Sequence, residues 1–519
     1  MKFWLYLFVF LFAGNTASQA QKYDYNWMAG YGSTLGFDSN YLHWFGTSKL
    51  DFRQTPVAVN RDSLRINFGA SNSTISDKDG NLLFYCNGVR VHNSIDEKME
   101  NGDSLSVRDS SYYLLHFQSS AFNLGLPLVQ YHIALPNPID DNLFELFYSY
   151  IDSIHLPNSI VTYSGKKILR ATIDISANNG QGKVLAKDSI ISYNYNNYSV
   201  AAVRHGDGRC WWVVSNISNT NCYLMTLYNG TDSFSHKMQC GGNQTDFAFS
   251  IYQRFSPDGN LFVTFSQTGE LNIFDFDRCV GELSLREHIS IRELSDSSGW
   301  TARNIEFSPD GRYLYVACIY RIFQFDMTAN SIAGSRFIIG RYNNAHLCPF
   351  EQSYEHLQLA PDGKIYMSAG STNYCVGVID NPNAQGSSCN FNDTALELPT
   401  FIDGLPYYPN YRLGALPGSP CDTITGLNDV ARADKEKLLK VFPNPATNFV
   451  TIDYGFTDWN KGEVSLEITN ELGQMVHQQP VPMYSGFQKV EVQNFAPGMY
   501  TAFIKRKGQV VATAKFAKQ

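Results

Sequence analysis

Between residues 250 and 370 the apolar positions come in short runs, broken at regular intervals by the same polar turn. Gln253-Arg254-Phe255-Ser256-Pro257-Asp258-Gly259-Asn260-Leu261-Phe262-Val263 is echoed by Ile305-Glu306-Phe307-Ser308-Pro309-Asp310-Gly311-Arg312-Tyr313-Leu314-Tyr315. It returns as Leu357-Gln358-Leu359-Ala360-Pro361-Asp362-Gly363-Lys364-Ile365-Tyr366-Met367. Gly259, Gly311 and Gly363 are 52 residues apart, and Gly208 of Asp207-Gly208 lies 51 before Gly259. Proline presets the first central position of such a turn, aspartate suits the second, and glycine closes it without steric cost. Each turn joins an apolar strand to an alternating one (Leu261-Phe262-Val263-Thr264-Phe265), and a third follows at Leu271-Asn272-Ile273-Phe274-Asp275-Phe276. The pattern predicts a four-stranded meander whose middle strands are buried on both faces.

A meander of that kind cannot bury both faces alone. Neighbours must stack, and a closed ring removes the exposed edges. A period near fifty suits one propeller blade. Asp79-Gly80, before Asn81-Leu82-Leu83-Phe84-Tyr85, marks a further blade, and the gap from Gly80 to Gly208 leaves room for one near Val129 to Ile154. Those give six blades. Tyr41 to Phe68, joined with strands after Phe401, completes a seventh, closed by both chain ends. Seven is favoured, with six as the alternative. Pro417-Gly418-Ser419-Pro420 and the charged stretch 431–437 read as a linker. Beyond it come short alternating strands, such as Val464-Ser465-Leu466-Glu467-Ile468, with turns at Leu472-Gly473 and Pro497-Gly498. Helix is nearly absent. The expectation is an all-β chain: signal peptide 1–20, β-propeller 21–416, linker 417–440 and a small C-terminal β-sandwich 441–519.

Composition narrows the function classes. The 519 residues are 44% hydrophobic and 17% charged with net charge −8, which excludes a disordered or polybasic chain and leaves no electrostatic footprint for nucleic acid. Lys2, the apolar run Phe3 to Ala13 and Ser18-Gln19-Ala20 read as a secretory signal, cleaved between Ala20 and Gln21. The run is too short to span a bilayer. In an exported chain some pairing among the ten cysteines is expected, although spacing does not give connectivity. Cys375 and Cys389, and Cys210 and Cys222, are the nearest pairs. Cys86 and Cys318 lie in strand-like runs and read as buried thiols.

The sequence offers little catalytic chemistry, and no catalytic residue, metal or cofactor is assigned. Nucleophile-elbow, metalloprotease and phosphate-loop motifs are missing. His346, Cys348, Glu351, Glu355 and His356 are metal-ligand types, but their spacing fits no closed zinc motif and an inter-blade loop is the plainer reading. Asp77-Lys78-Asp79-Gly80 resembles half a calcium loop without its closing acid. Glu306 lies on a strand, either in the channel or at a solvent-facing edge. Tyr193-Asn194-Tyr195-Asn196-Asn197-Tyr198 and Tyr407-Tyr408-Pro409-Asn410-Tyr411 suit stacking on sugars or gripping a protein, with packing and ring closure as the plainer account.

The last segment carries a resemblance. Val441-Phe442-Pro443-Asn444-Pro445-Ala446-Thr447-Asn448, then Asn470-Glu471-Leu472-Gly473, Ala496-Pro497-Gly498-Met499-Tyr500 and the basic tail around Lys515 resemble the type A C-terminal sorting domain of type IX secretion cargo of Bacteroidota. The resemblance implies recognition by that secretion machinery, passage across the outer membrane, removal of the domain, and either attachment to surface lipopolysaccharide or release. The first 400 residues are similar to WD40-like propeller proteins of the same bacteria through His43-Trp44-Phe45-Gly46, Leu50-Asp51-Phe52, Ile75 to Gly88, and Asp380-Asn381-Pro382-Asn383 ahead of Cys389-Asn390-Phe391. The expected function is a cell-surface or secreted interaction platform for an unidentified protein or glycan. A polysaccharide hydrolase or lyase with channel acids is the alternative, and the non-catalytic reading is preferred.

Overall fold

The computed structural model describes residues 21–31, 43–105, 125–126, 130–155, 161–192, 197–217, 221–232, 234–242, 251–291, 302–342, 348–349, 353–369, 373–419, 421, 439–455, 464–481, 485–506 and 509–519. Their strands form seven antiparallel sheets in chain order, then two more at the C-terminus. Blade 1 is Asn26–Tyr31, Gly46–Asp51 and Ala58–Asp62; blade 2 is Ser73–Ser76, Leu82–Cys86 and Val91–Asn93. Blades 3 to 7 have four strands each and start at His132, Asn197, Ile251, Ala302 and Tyr354. From blade 4 to blade 7 the first strands of successive blades pack against one another, and the last strand of blade 7, Phe391–Ile402, packs on blade 1. There the Ser48 and Thr400 hydroxyls meet at 2.6 Å, so the ring is closed by residues from opposite ends of the chain.

The apolar pattern explains each blade. In blade 5, Leu261–Ser266 is buried along its whole length because both its faces meet neighbours, whereas the outermost strand, Glu282–Ser290, is half exposed. Between blades 4 and 5 the core is aromatic: Trp212, Tyr223, Phe255, Phe262, Phe274 and Phe276. Burying each such ring contributes about 1.5–3 kcal/mol, so the seam between blades 4 and 5 is a core in its own right. The turns are held by their own polar residues. Ser256 Oγ donates to Asp258 Oδ1 at 2.5 Å and accepts from Leu261 N, and Asp258 accepts from Asn260 N. Blade 6 repeats this with Ser308, Asp310, Arg312 and Tyr313. Blade 7 has Ala360 in the serine position and lacks that bond. Gly80, Gly208, Gly259, Gly311 and Gly363 all have φ between 72° and 91°, which a side chain rarely tolerates.

Two details differ from the sequence expectation. The blade expected within Val129–Ile154 continues through Val161–Asp174 to Lys183–Ser192, because long strands rather than loops fill the interval. No strand follows Ile402 in the propeller; blade 1 takes its third strand from Asn26–Tyr31 instead. Cysteine pairing joins Cys222 to Cys240, Cys279 to Cys421 and Cys348 to Cys375, while Cys86, Cys210, Cys318 and Cys389 are free and buried. Neither sequence-adjacent pair is bonded: Cys222 instead meets its directly opposed strand partner.

The C-terminal residues form a three-stranded sheet (Leu439–Phe442, Phe449–Gly455, Ser485–Glu491) and a four-stranded one (Val464–Asn470, Met475–Val481, Gly498–Arg506, Gln509–Lys518). They enclose Val450, Ile452, Leu466, Ile468, Ala502, Ile504 and Phe516, a small sandwich with its own core.

Candidate functional site: the propeller axis

The residues after Ile402 run along the ring axis. Gly404 lies against Ala70, just before blade 2 begins, and Ala415 lies against Gly208, in the turn after the first strand of blade 4. The segment therefore passes from one rim to the other. It forms no ladder, and its partners come from every side. Tyr408 OH donates to Asn26 O and Thr74 O, Tyr411 OH to Ala134 O, and Tyr407 OH to Gln253 O. Tyr408 N donates to Gln358 Oε1, Asn410 Nδ2 to Pro257 O, and Leu416 N to Gly206 O. The three tyrosines are 2–6% exposed. They are the hub of the ring rather than a surface loop, and packing wins over the stacking role. The companion cluster, Tyr193 to Asn196, lies outside the described residues.

The strand position five before each turn glycine faces this axis in blades 5 to 7. It is occupied by Arg254, Glu306 and Gln358. Arg254 Nη2 meets Glu306 Oε2 at 3.0 Å and Gln358 Oε1 at 3.4 Å, and Nη1 donates to Tyr408 O at 2.9 Å. Its guanidinium sits 4.4 Å from the Tyr407 ring centroid. Glu306 is 3% exposed and accepts from Phe307 N and Leu359 N, both at 2.9 Å. Burial raises its pKa, with Arg254 opposing. Burial also pushes the Tyr407 phenol up to about 12. Glu306 thus faces the axis and not a solvent edge. Arg254 and Gln358 were not foreseen, although unlike polar residues at one position of an otherwise apolar repeat are the signal that marks them.

Beside this cluster opens a cavity of ≈ 270 Å³. Pro257, Pro309 and Pro361 of three successive turns line it, with Phe255, Tyr407 and Asn410. Its two carboxylates, Glu306 and Asp24, are both paired, the second with Arg412. At the other rim Glu355 Oε1 meets Arg303 Nε at 3.1 Å, close to Asp403. Burial raises the pKa of both acids, and the Asp403 charge adds to the rise at Glu355.

The remaining sequence candidates separate. Asp79, Asp207, Asp258, Asp310 and Asp362 lie in hairpin turns spread round the ring, each next to its glycine. Asp77 accepts from Asp79 N and Asn81 N, as a hairpin turn does. Of the metal-type cluster, His346 and Glu351 lie outside the described residues, Cys348 is in a disulfide, and His356 bonds Ser368. Gln21 lies near blade 4, its Oε1 accepting from Arg204; Ala20 lies outside the described residues.

In the C-terminal sandwich the scattered motif pieces meet. Asn444, between Pro443 and Pro445, accepts from Ala517 N at 2.9 Å and donates to Lys515 O. Ala446 and the last residues add backbone bonds, so this corner pins the final strand to the first sheet. Glu471, beside Leu472 and Gly473, accepts from Met499 N at 2.8 Å. Tyr500, following Pro497 and Gly498, stacks on Phe516 and donates to Ala496 O.

Residues 440–519 match the family described as secretion system C-terminal sorting domain. The chain therefore carries a sorting domain that directs it through the secretion machinery, across the outer membrane, to the cell surface or the medium. Among solved structures, a protein from Lactobacillus plantarum is 12% identical, with 74% of this chain and 100% of that chain covered and a TM-score of 0.41. A putative 6-phosphogluconolactonase from Bacteroides uniformis is 12% identical, covering 74% and 98%, at 0.40. The Cps50 (Swd1) β-propeller domain of Myceliophteria thermophila is 11% identical, covering 63% and 87%, at 0.34. No curated protein matches this chain.

Proposed function

We propose that this exported β-propeller is a recognition protein, which presents a rigid face to a protein or glycan and does not turn its ligand over. Residues 1–20 act as a cleaved signal peptide. The sorting domain is removed at export, and the propeller is either attached to surface lipopolysaccharide or released. The observation that carries this reading is the commitment of both cavity acids: Glu306 to Arg254 and two backbone N–H groups, Asp24 to Arg412. General acid–base hydrolysis needs one acid protonated and one free to attack or activate water. A preformed, largely apolar hollow ringed by prolines and an amide suits binding instead.

The rival reading, a polysaccharide hydrolase or lyase, draws on Glu355 and Asp403 at the opposite rim, whose raised pKa values favour a protonated acid. The exported chain, incubated with a polysaccharide panel and envelope extracts, separates the two. Retention without new reducing ends or unsaturated products is expected. Product formation that is lost in a Glu355→Gln, Asp403→Asn double variant would replace recognition with catalysis.

A further inference from the structure

The charged side chains that line the hollow beside the axis pair off one to one, Glu306 with Arg254 and Asp24 with Arg412. The uncharged polar ones are committed as well. Gln358 accepts from Tyr408 N and donates to Leu359 O, and Asn410 accepts from Arg412 N and donates to Pro257 O. Ser256 is bonded within its own turn, and the Tyr407 and Tyr408 hydroxyls donate to carbonyls of first strands. A charged ligand would lose its hydration here without gaining a counter-charge. A sugar would bury hydroxyls against side chains that are already bonded.

What the hollow offers instead is rigid carbon. Pro257, Pro309 and Pro361 stand at the same position of three successive turns, and Pro409 of the axial segment joins them. A pyrrolidine ring has no rotamer freedom to lose on binding. Its C–H edges suit the negative face of an aromatic ring. Proline-rich peptides dock into grooves lined by aromatics, and here the two roles are exchanged. At ≈ 270 Å³ the space lies below the usual range for drug-sized ligands and holds one large side chain rather than a run of sugars.

The rim adds charge. Each of the three turn prolines is followed by an exposed aspartate: Asp258, Asp310 and Asp362. Their carboxylates accept from neutral groups of their own hairpins, such as Asn260 N, Ser308 Oγ and Tyr366 OH. Arg312 and Lys364, which follow two of these turns, pair with Asp326 and Asp380 instead. An apolar centre within a charged collar is the anatomy of an anchor pocket at a protein interface.

We propose that this hollow receives an aromatic side chain of a protein partner, a tryptophan or tyrosine flanked by lysine or arginine. The proposal rests on the recognition reading and narrows it, to a protein ligand met by the rim of the Asp-Gly turns.

Saturation-transfer NMR on the full exported chain tests this with the peptide Ac-Lys-Trp-Lys-NH2. Transfer to the indole protons is expected, with binding weakened about tenfold by Pro309→Ala with Pro361→Ala. Replacing the peptide tryptophan by leucine should cost about as much. Ac-Glu-Trp-Glu-NH2 should bind roughly fivefold more weakly at low salt. Asp258→Asn, Asp310→Asn and Asp362→Asn together should close that gap, because asparagine keeps the oxygen that each turn uses and removes the charge. Equal binding of the leucine peptide, or binding indifferent to the proline changes, would overturn the pocket. So would transfer to methyl α-glucoside that the proline changes abolish. No peptide binding by a chain that still retains a glycan or envelope component would overturn the pocket and leave recognition standing; a chain that retains nothing would overturn both.

Discussion

The propeller and the sorting sandwich use their marked residues in opposite ways. In the propeller the recurring Asp-Gly pairs are spread round the ring, each in the turn of its own blade. In the sandwich the pieces occur once each, far apart in sequence, and meet: Asn444 with Lys515 and Ala517, Glu471 with Met499, Tyr500 with Phe516. Recurrence therefore marks scaffold, and convergence of unlike pieces marks a site. The propeller follows the same rule at its axis. There the repeat carries Arg254, Glu306 and Gln358 at one position, and Arg254 bonds to the other two.

The largest effect should come from breaking that convergence. Arg254→Met leaves Glu306 buried without its cation, at a cost of about 3–5 kcal/mol. Thermal unfolding should show it as a large drop in Tm. The Glu306 pKa is raised in the fold, so the folded state holds its proton more tightly than the unfolded chain. The variant should thus regain stability as pH falls and lose it as pH rises through the folded pKa. Adding Glu306→Gln should restore much of the loss at neutral pH.

The scaffold side of the comparison is sharpened by two turn glycines. Alanine at Gly208 or Gly363 meets the same unfavourable φ, which costs about 1 kcal/mol. At Gly208 the new methyl would also overlap the Ala415 backbone, whereas nothing lies within 4 Å at Gly363. Gly208→Ala should therefore lower Tm clearly more than Gly363→Ala. Equal losses would mean that the axial segment does not press on that turn.

In the sandwich, Asn444→Ala removes both bonds to the final strand, about 1–2 kcal/mol of that domain. The fraction of chain reaching the medium or surface should fall, while Pro480→Ala on the opposite edge strand of that sheet should leave it near wild type. A last effect appears only in acid. Burial lowers the pKa of His132 and His356 to about 4, so both are neutral in the fold. Their contribution is present above about pH 6.5 and is lost as pH falls from there through 4. His356→Gln should flatten that part of the stability profile.

Much of this was legible in the sequence. The turn spacing marked five of the blades, each with one glycine at positive φ after its first strand, and alternation gave the sandwich. The strand Asn26–Tyr31 escaped notice because no such turn follows it in the sequence. The axial segment escaped for a different reason. Tyr407, Tyr408 and Tyr411 bond to carbonyls of blades 1, 2, 3 and 5, and no local pattern encodes partners so distant in sequence. Disulfide pairing was hidden likewise: Cys279 and Cys421 are 142 residues apart.

Residues 403–416 are the hub of the propeller rather than a loop offered to a ligand. Native-state hydrogen exchange tests it most directly at the amides of Tyr407, Tyr408 and Leu416, which donate to Asn72, Gln358 and Gly206. Protection comparable to that of Leu261–Ser266, opening only with the whole propeller, is the predicted result. Exchange at the rate of an exposed turn would contradict it and return these tyrosines to the surface.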